Sequence, residues 1–448
     1  MSVEESLVVM NRANQEVVIF DGIYTIEISS DVFAEIIGKI TMKWMPKPTL
    51  FFEGEITENF SCIDKLIKTN KPIEIILPTG YKGKGYVLSF KFGTKYYISG
   101  DISEGLIFGK DTSIISSLNF SIVNFIDNFG GAIQTENHTY TGRYIINYKE
   151  FKIIIDKKNN YKEIYESLKE SGGYCITHEC KIQSMDGKEF YLRDVNYLVD
   201  ALVWLLSFLC GRQIGISYFE GKSNGDTVFV NYQTSIIHNW RNISNWFIKN
   251  ESQFGLNEIF SKLVEKLNDE LWGRVLRNVF TWYFDGMSQA YIETKIVSIQ
   301  IALENVAWTY IVEKEEILDR QAFDKLRASD KLRLMLYEFK IDRRIPQIEE
   351  FNTFNNKYKD GAHLFTELRN DIVHPKKNTQ DIDGIVLYNT LHLGIYYLEL
   401  SILKLLDYKG RYINFFNNAN LNQRLEYVPW SNEDEFNKLF IQKSKENS

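Results

Sequence analysis

Between Ile236 and Pro346 the chain holds no proline, and across that stretch apolar residues recur at three- and four-residue steps. Proline removes a backbone donor and clashes inside a helix, so a long proline-free run with a 3.6-residue period is a run of helices. Residues 259–268 and 271–284 fit that pattern. Four stronger helices are predicted after them, over 291–313, 321–338, 351–374 and 382–408. In the first, Ile296, Ile299, Leu303, Val306 and Tyr310 form one stripe. In the last, Leu387, Leu391, Ile395, Leu398, Ile402 and Leu405 do the same. The connections are short except over 340–350, where Pro346 breaks the chain, so the pattern predicts an antiparallel bundle.

Before residue 235 the period is different. Segments 17–20, 24–28, 40–45, 49–52 and 73–77 are short and rich in β-branched or aromatic residues, and proline or glycine clusters separate several of them. Residues 85–92 and 95–99 read as paired strands around Gly93, and 116–125 and 144–156 continue the pattern. Gly80–Gly85 lacks the phosphate-loop spacing and a following helix, so it reads as a hairpin turn. Helices are predicted over 161–171 and 195–210, the second apolar nearly all round and stopped by Gly211. Strands follow over 214–219 and 227–232. The expectation is an α+β protein, with a β-rich sandwich- or barrel-like domain over 1–235 and an all-α domain over 236–448, its core bundle at 291–408.

A chain of 448 residues with 44% apolar and 25% charged residues is long enough to bury such cores. The net charge of −7 means that any nucleic-acid contact must be a local basic patch. Four cysteines are too few and too scattered for a disulfide framework. The longest apolar run, 201–210, is far short of the ~20 residues of a membrane span, and the amino terminus lacks the layout of a secretory signal. The expected location is the cytoplasm, with no membrane contact. Cys175, His178 and Cys180 have no common zinc spacing and no second ligand pair, so no metal and no cofactor is expected.

The chemistry is carried by Glu367-Leu-Arg-Asn-Asp-Ile-Val-His-Pro375 at the end of a predicted helix. Arg369 and His374 have four residues between them. Spacing alone is weak, since roughly 0.6 such pairs are expected by chance from 15 Arg and 6 His. The context adds weight: Asn370 follows the Arg, and apolar Leu368, Ile372 and Val373 stand ready to anchor the segment to the bundle. Asn370 and His374 share a helix face, whereas Arg369 and His374 lie about 140° apart on a straight helix. Pro375 pushes His374 out of the helical region and frees its imidazole to swing toward the guanidinium.

This segment resembles the R-x4–6-H motif of HEPN ribonucleases. The chain as a whole is similar to the ApeA-like group of HEPN anti-phage defence proteins, which pair a β-rich amino-terminal domain with a carboxy-terminal HEPN bundle. The likeness covers residues 291–408, including Ala302-Leu-Glu304 and Lys331-Leu-Arg-Leu-Met-Leu336. More loosely, it extends to Phe20-Asp-Gly-Ile23 and Leu206-Ser-Phe-Leu-Cys-Gly211. It implies a metal-independent endoribonuclease that cleaves host RNA, tRNA first among the candidates, upon infection. Arg369, Asn370 and His374 would be catalytic, and Lys376 and Lys377 would hold the flanking RNA backbone. It further implies a homodimer through the HEPN helices and a phage-derived trigger at the amino-terminal domain.

The residue types suit that reaction. The 2′-hydroxyl of RNA attacks the adjacent phosphate, histidine exchanges the proton near neutral pH, and arginine's planar fork matches phosphate oxygens. Plainer readings exist for each residue. Arg369 would pair with a carboxylate on a solvated face, His374 would sit at a helix C-terminus favoured by the dipole, and Lys376–Lys377 would be a solvated turn. Glu304 reads first as a surface carboxylate. Two rival functions use the same fold: a catalytically inactive HEPN dimer acting as a scaffold, and a nucleotide-binding HEPN partner of a nucleotidyltransferase. The intact triplet argues against the first, and the large β domain against the second.

Overall fold

The computed structural model describes residues 8–29, 32–58, 63–68, 71–127, 130–134, 139–248, 254–374, 382–417 and 424–432. The chain forms two compact units, one of residues 1–203 and 214–242, the other of residues 204–213 and 243–448. The division falls at Asn242 rather than at 235, and the last turns of the helix before Gly211 group with the carboxy-terminal unit.

In the first unit, β1 (Val17–Ser29), β2 (Val32–Lys43), β3 (Thr49–Glu58), a short helix α1 (Ile63–Lys68), β4 (Ile73–Ile76), β5 (Lys82–Lys91) and β6 (Tyr97–Phe108) come first. The strands pair antiparallel in the order β3-β2-β1-β4-β5-β6, and β6 pairs back onto β3. The result is a closed six-stranded barrel, which leaves no free edge among those strands. Alternate residues such as Tyr24, Ile26, Ile36, Phe52 and Ile75 fill its interior. Gly22, Gly38 and Gly54 stand opposite one another across β1, β2 and β3. A Cβ at Gly38 would run into the Glu53 carbonyl, so the close approach of the strands there requires glycine. Segments 17–20 and 24–28, predicted separately, are one strand that continues through Gly22.

The far end of β6 continues into a second antiparallel run. Its further elements are β7 (Ile114–Ile115), β8 (Ser117–Val123), β9 (Gly131–Gln134), β10 (Thr139–Tyr148), β11 (Phe151–Lys157), α2 (Tyr161–Ser171), β12 (Ile176–Ser184), β13 (Phe190–Tyr191), α3 (Asn196–Cys210), β14 (Gly215–Ser223) and β15 (Asp226–Tyr232). The order is β6-β15-β14-β8-β12-β11-β10-β9, with β7 and β13 paired apart. The predicted stretch 144–156 is thus a hairpin of two strands, turning at Lys149 with positive φ. Of the Gly80–Gly85 run, Gly80 makes the turn, whereas Gly83 and Gly85 lie inside β5. Gly211 ends α3 at φ 64°.

The second unit holds α4 (Phe254–Leu267), α5 (Trp272–Ser288), α6 (Ile292–Trp308), α7 (Arg320–Lys325), α8 (Ala328–Glu338), α9 (Gly361–Val373), α10 (Gly384–Leu405) and a hairpin of β16 (Arg411–Ile413) and β17 (Leu425–Tyr427). A π-helical turn, Thr309–Lys314, extends α6. Helices α6, α8, α9 and α10 pack on one another, and α5 covers α6. The predicted helix over 321–338 is two helices, because Leu326 and Arg327 adopt extended ψ angles of 145° and 153°. The predicted helix over 351–374 is a 3-10 turn, Glu349–Phe354, followed after a break by α9. The β16–β17 hairpin was not anticipated from the sequence. No described helix is long and apolar enough to cross a membrane.

Candidate functional site

Helix α9 carries the motif, and its start is fixed firmly. The Asp360 carboxylate caps it by accepting the His363 N–H at 2.9 Å. Arg333 of α8 grips the same carboxylate through Nε at 2.5 Å and Nη2 at 3.1 Å, and also pairs with Asp330. Burial raises the Asp360 pKa, but the Arg333 contact, the His363 N–H and the Arg343 charge together outweigh it, and the net shift is downward. Gly361 follows the cap because the Tyr397 hydroxyl of α10 occupies the space a Cβ would need. Phe365 then packs against Gly394 of α10, so the two helices run antiparallel in close contact.

The far end of α9 presents the triplet. Leu368 is buried and anchors the last turn; Ile372 is half-buried, and Val373, expected as a third anchor, faces solvent. Arg369 is half-buried. Its Nη1 donates to Asn370 Oδ1 at 3.3 Å, while its buried Nε has no partner among the described residues. The Asn370 carbonyl accepts the His374 N–H at 2.8 Å. His374 leaves the helix with φ −125° and ψ 66°, as expected of a residue before proline, and is exposed. Asn370 therefore links both partners, to Arg369 through its side chain and to His374 through its backbone. The imidazole of His374 makes no hydrogen bond to a described residue, and the guanidinium does not reach it. Lys376 and Lys377 lie outside the described residues.

The other singled-out residues resolve as structural. Glu304 is exposed and accepts from Gln300 Nε2 at 2.6 Å within α6. His178 is buried between Phe125 and Tyr161, with Nδ1 3.0 Å from Thr177 Oγ1, and burial pushes its pKa down to about 3. Cys175 points Sγ at the Arg12 carbonyl at 3.6 Å. Among the described residues no group of His, Cys, Asp or Glu could hold a metal. His363, which shares a face with His374, spends Nδ1 on the Lys359 N–H at 3.2 Å.

Two features escaped the sequence. Glu399, buried in α10, accepts from the Tyr283 hydroxyl at 2.5 Å, and burial pushes its pKa up to about 8. His392 of α10 stacks on Phe415 at 3.7 Å, and burial pushes its pKa down to about 4. Both lie in helix patterns that read only as apolar. Leu387, Leu393, Leu398 and Leu403, on different faces of α10, are all buried within the unit, so these leucines do not call for a partner subunit.

Two family matches cover most of the chain: the YopA central domain at residues 110–243 and the YopA C-terminal domain at residues 269–426. The chain is 35% identical over 428 residues to the "SPbeta prophage-derived uncharacterized protein YopA" of Bacillus subtilis (strain 168), covering 94% of this chain and 96% of the relative. The chain belongs to the YopA family. The candidate triplet of this YopA chain lies inside the C-terminal domain match, and the barrel β1–β6 precedes the central one. No solved structure matches significantly.

Proposed function

We propose that this YopA-family chain is a metal-independent HEPN-type endoribonuclease that cleaves host RNA, tRNA foremost, in bacterial anti-phage defence. One observation carries the reading: a half-buried Arg369, braced by Asn370 and with an Nε unpartnered among the described residues, in the last turn of the helix that the exposed His374 ends. A buried guanidinium N–H left without an acceptor is costly unless a ligand supplies one, and a phosphate oxygen is the natural supplier. An exposed imidazole at the same helix end offers proton transfer. The prophage origin of the relative fits a gene that guards its host against competing phage.

In this reading the 2′-hydroxyl attacks the adjacent phosphorus, the P–O5′ bond breaks, and a 2′,3′-cyclic phosphate forms. Arg369 neutralises the developing charge, His374 moves a proton, and Lys376 and Lys377 hold the flanking strand. The test is to incubate the purified chain with total RNA in EDTA and map the cut ends. Cyclic phosphate ends are expected in the presence of chelator. Products with 3′-hydroxyl ends, or activity lost in EDTA, would point to a two-metal nuclease instead.

A further inference from the structure

The helical unit also holds a concave site. It is an open pocket of about 330 Å³ between the 342–347 segment, α10 and the 414–416 segment. Gly394 and Tyr397 mark the side of α10 that faces α9. Leu393 and Tyr396 each precede one of them by a residue, so they turn about 100° around the helix. The pocket therefore opens on a different flank of α10 from the one that α9 covers.

Its walls are Pro346, Leu393, Tyr396 and Phe416. The Tyr396 and Phe416 rings meet edge to face at 6.2 Å, forming a corner of two aromatic surfaces. The polar rim is built but electrically neutral. Arg344 lies across Asp342 with Nη2 2.6 Å from Oδ2, and its side chain is 88% exposed. Asn414 is pinned by its neighbours, with Nδ2 on Glu426 at 2.9 Å and Oδ1 accepting the Phe416 N–H at 3.0 Å. Gln347 spends one amide N–H on the Ile345 carbonyl at 3.1 Å, which leaves its other N–H and its oxygen.

Aromatic walls favour a flat ring. A rim of two amides and one closed ion pair offers donors and acceptors together with no net charge. That combination disfavours a bare phosphate, which would meet Asp342, and disfavours a purely apolar ligand, which would strand the amides. We propose that this pocket binds a nucleobase: a planar, uncharged heteroaromatic ring whose edge donates and accepts hydrogen bonds. The base can come from a free nucleoside or from an RNA strand. Because the pocket lies off the α9 flank, the proposal stands whether or not the chain cleaves RNA.

The experiment titrates adenosine, guanosine, cytidine and uridine into the full chain, read by saturation-transfer NMR on the ring protons. At least one nucleoside should bind. Gln347→Trp, which fills the mouth from an exposed position, and Arg344→Ala, which opens the ion pair and leaves Asp342 charged on the rim, should each weaken binding tenfold or more with unchanged circular dichroism. A second arm uses a labelled single-stranded RNA octamer and the His374→Ala chain. Displacement of the nucleoside by the octamer assigns the base to RNA; failure to displace it assigns the pocket to a free nucleoside. Absence of binding for all four nucleosides, or binding that survives both substitutions, would overturn the proposal.

Discussion

Arg369 and His374 differ in what surrounds them, and that difference sets the expected behaviour of their variants. His374 is exposed and, among the described residues, contributes only a backbone N–H to the fold, so His374→Ala should change stability by no more than about 0.5 kcal/mol. Arg369→Ala removes a half-buried group that lacks one partner among the described residues, so it should also be mild. Both should abolish RNA cleavage, read as loss of mapped cuts alongside an unchanged thermal midpoint; wild-type cleavage by either folded variant would show that the site is elsewhere. Glu399 belongs to the interior and has a pH signature of its own. Its pKa is raised from 4.5 to about 8 by burial, partly opposed by the Tyr283 hydrogen bond. The folded state then holds a proton that the unfolded state releases, so its contribution is full below about pH 4.5 and lost as pH rises through about 8. Glu399→Gln keeps the shape of the neutral acid and should flatten that decline in urea midpoints between about pH 5 and 8. The helix-end placement of the triplet was legible because a proline and a helix end are local signals. Glu399 and His392 were not, since one sequence does not say which face of an apolar helix meets a tyrosine or a phenylalanine.

At the scale of elements, the reading succeeded where the period was strong and failed where a cap intervened. The predicted spans over 161–171 and 195–210 match α2 and α3 to within a residue, since their apolar patterns are uninterrupted. The expected long helix before His374 was cut short by Asp360, which takes an extended backbone and caps α9 while Arg333 holds it from α8. An Asp-Gly pair was present in the sequence as a start signal, but the arginine that makes it decisive lies 27 residues away. That clamp fixes one end of the helix that carries the triplet at the other. Asp360→Ala loses the cap, worth ~1 kcal/mol, and leaves Arg333 with Asp330 alone. A loss of about 1–3 kcal/mol is expected in urea unfolding, more than the cap alone because a partly buried ion pair is broken. Asp360→Asn keeps a cap acceptor and should recover part of it. Equal stability of all three proteins would mean that the clamp does not hold α9.

At the scale of the whole molecule, the change of period near residue 235 revealed two architectures, but barrel closure stayed hidden. Pairing of β3 with β6 joins residues about 50 apart, and nothing in the alternation of either strand names its partner. The same limit applies to assembly, which the chemistry of the reaction constrains instead. Cleavage through the 2′-hydroxyl needs a base and an acid, and the helical unit has three histidines. His363 is tied to the start of α9, and His392 is stacked on Phe415 and held neutral by burial, which leaves His374 alone. In the proposed reading, a second copy related by a two-fold axis would supply the missing group. The exposed side chains Val373, Ile385 and Tyr388, at the end of α9 and the start of α10, offer apolar surface beside the motif for such a contact. We expect the chain to sediment as a dimer, and Ile385→Asp with Tyr388→Asp to yield folded monomers that no longer cleave RNA. Mixing excess His374→Ala subunits with wild type, under conditions where subunits exchange, should lower activity per wild-type subunit toward the fraction of wild-type homodimers. A monomer that cleaves at full rate would show that one copy holds the whole machinery, and would send the search for the second proton carrier back to residues of the same chain.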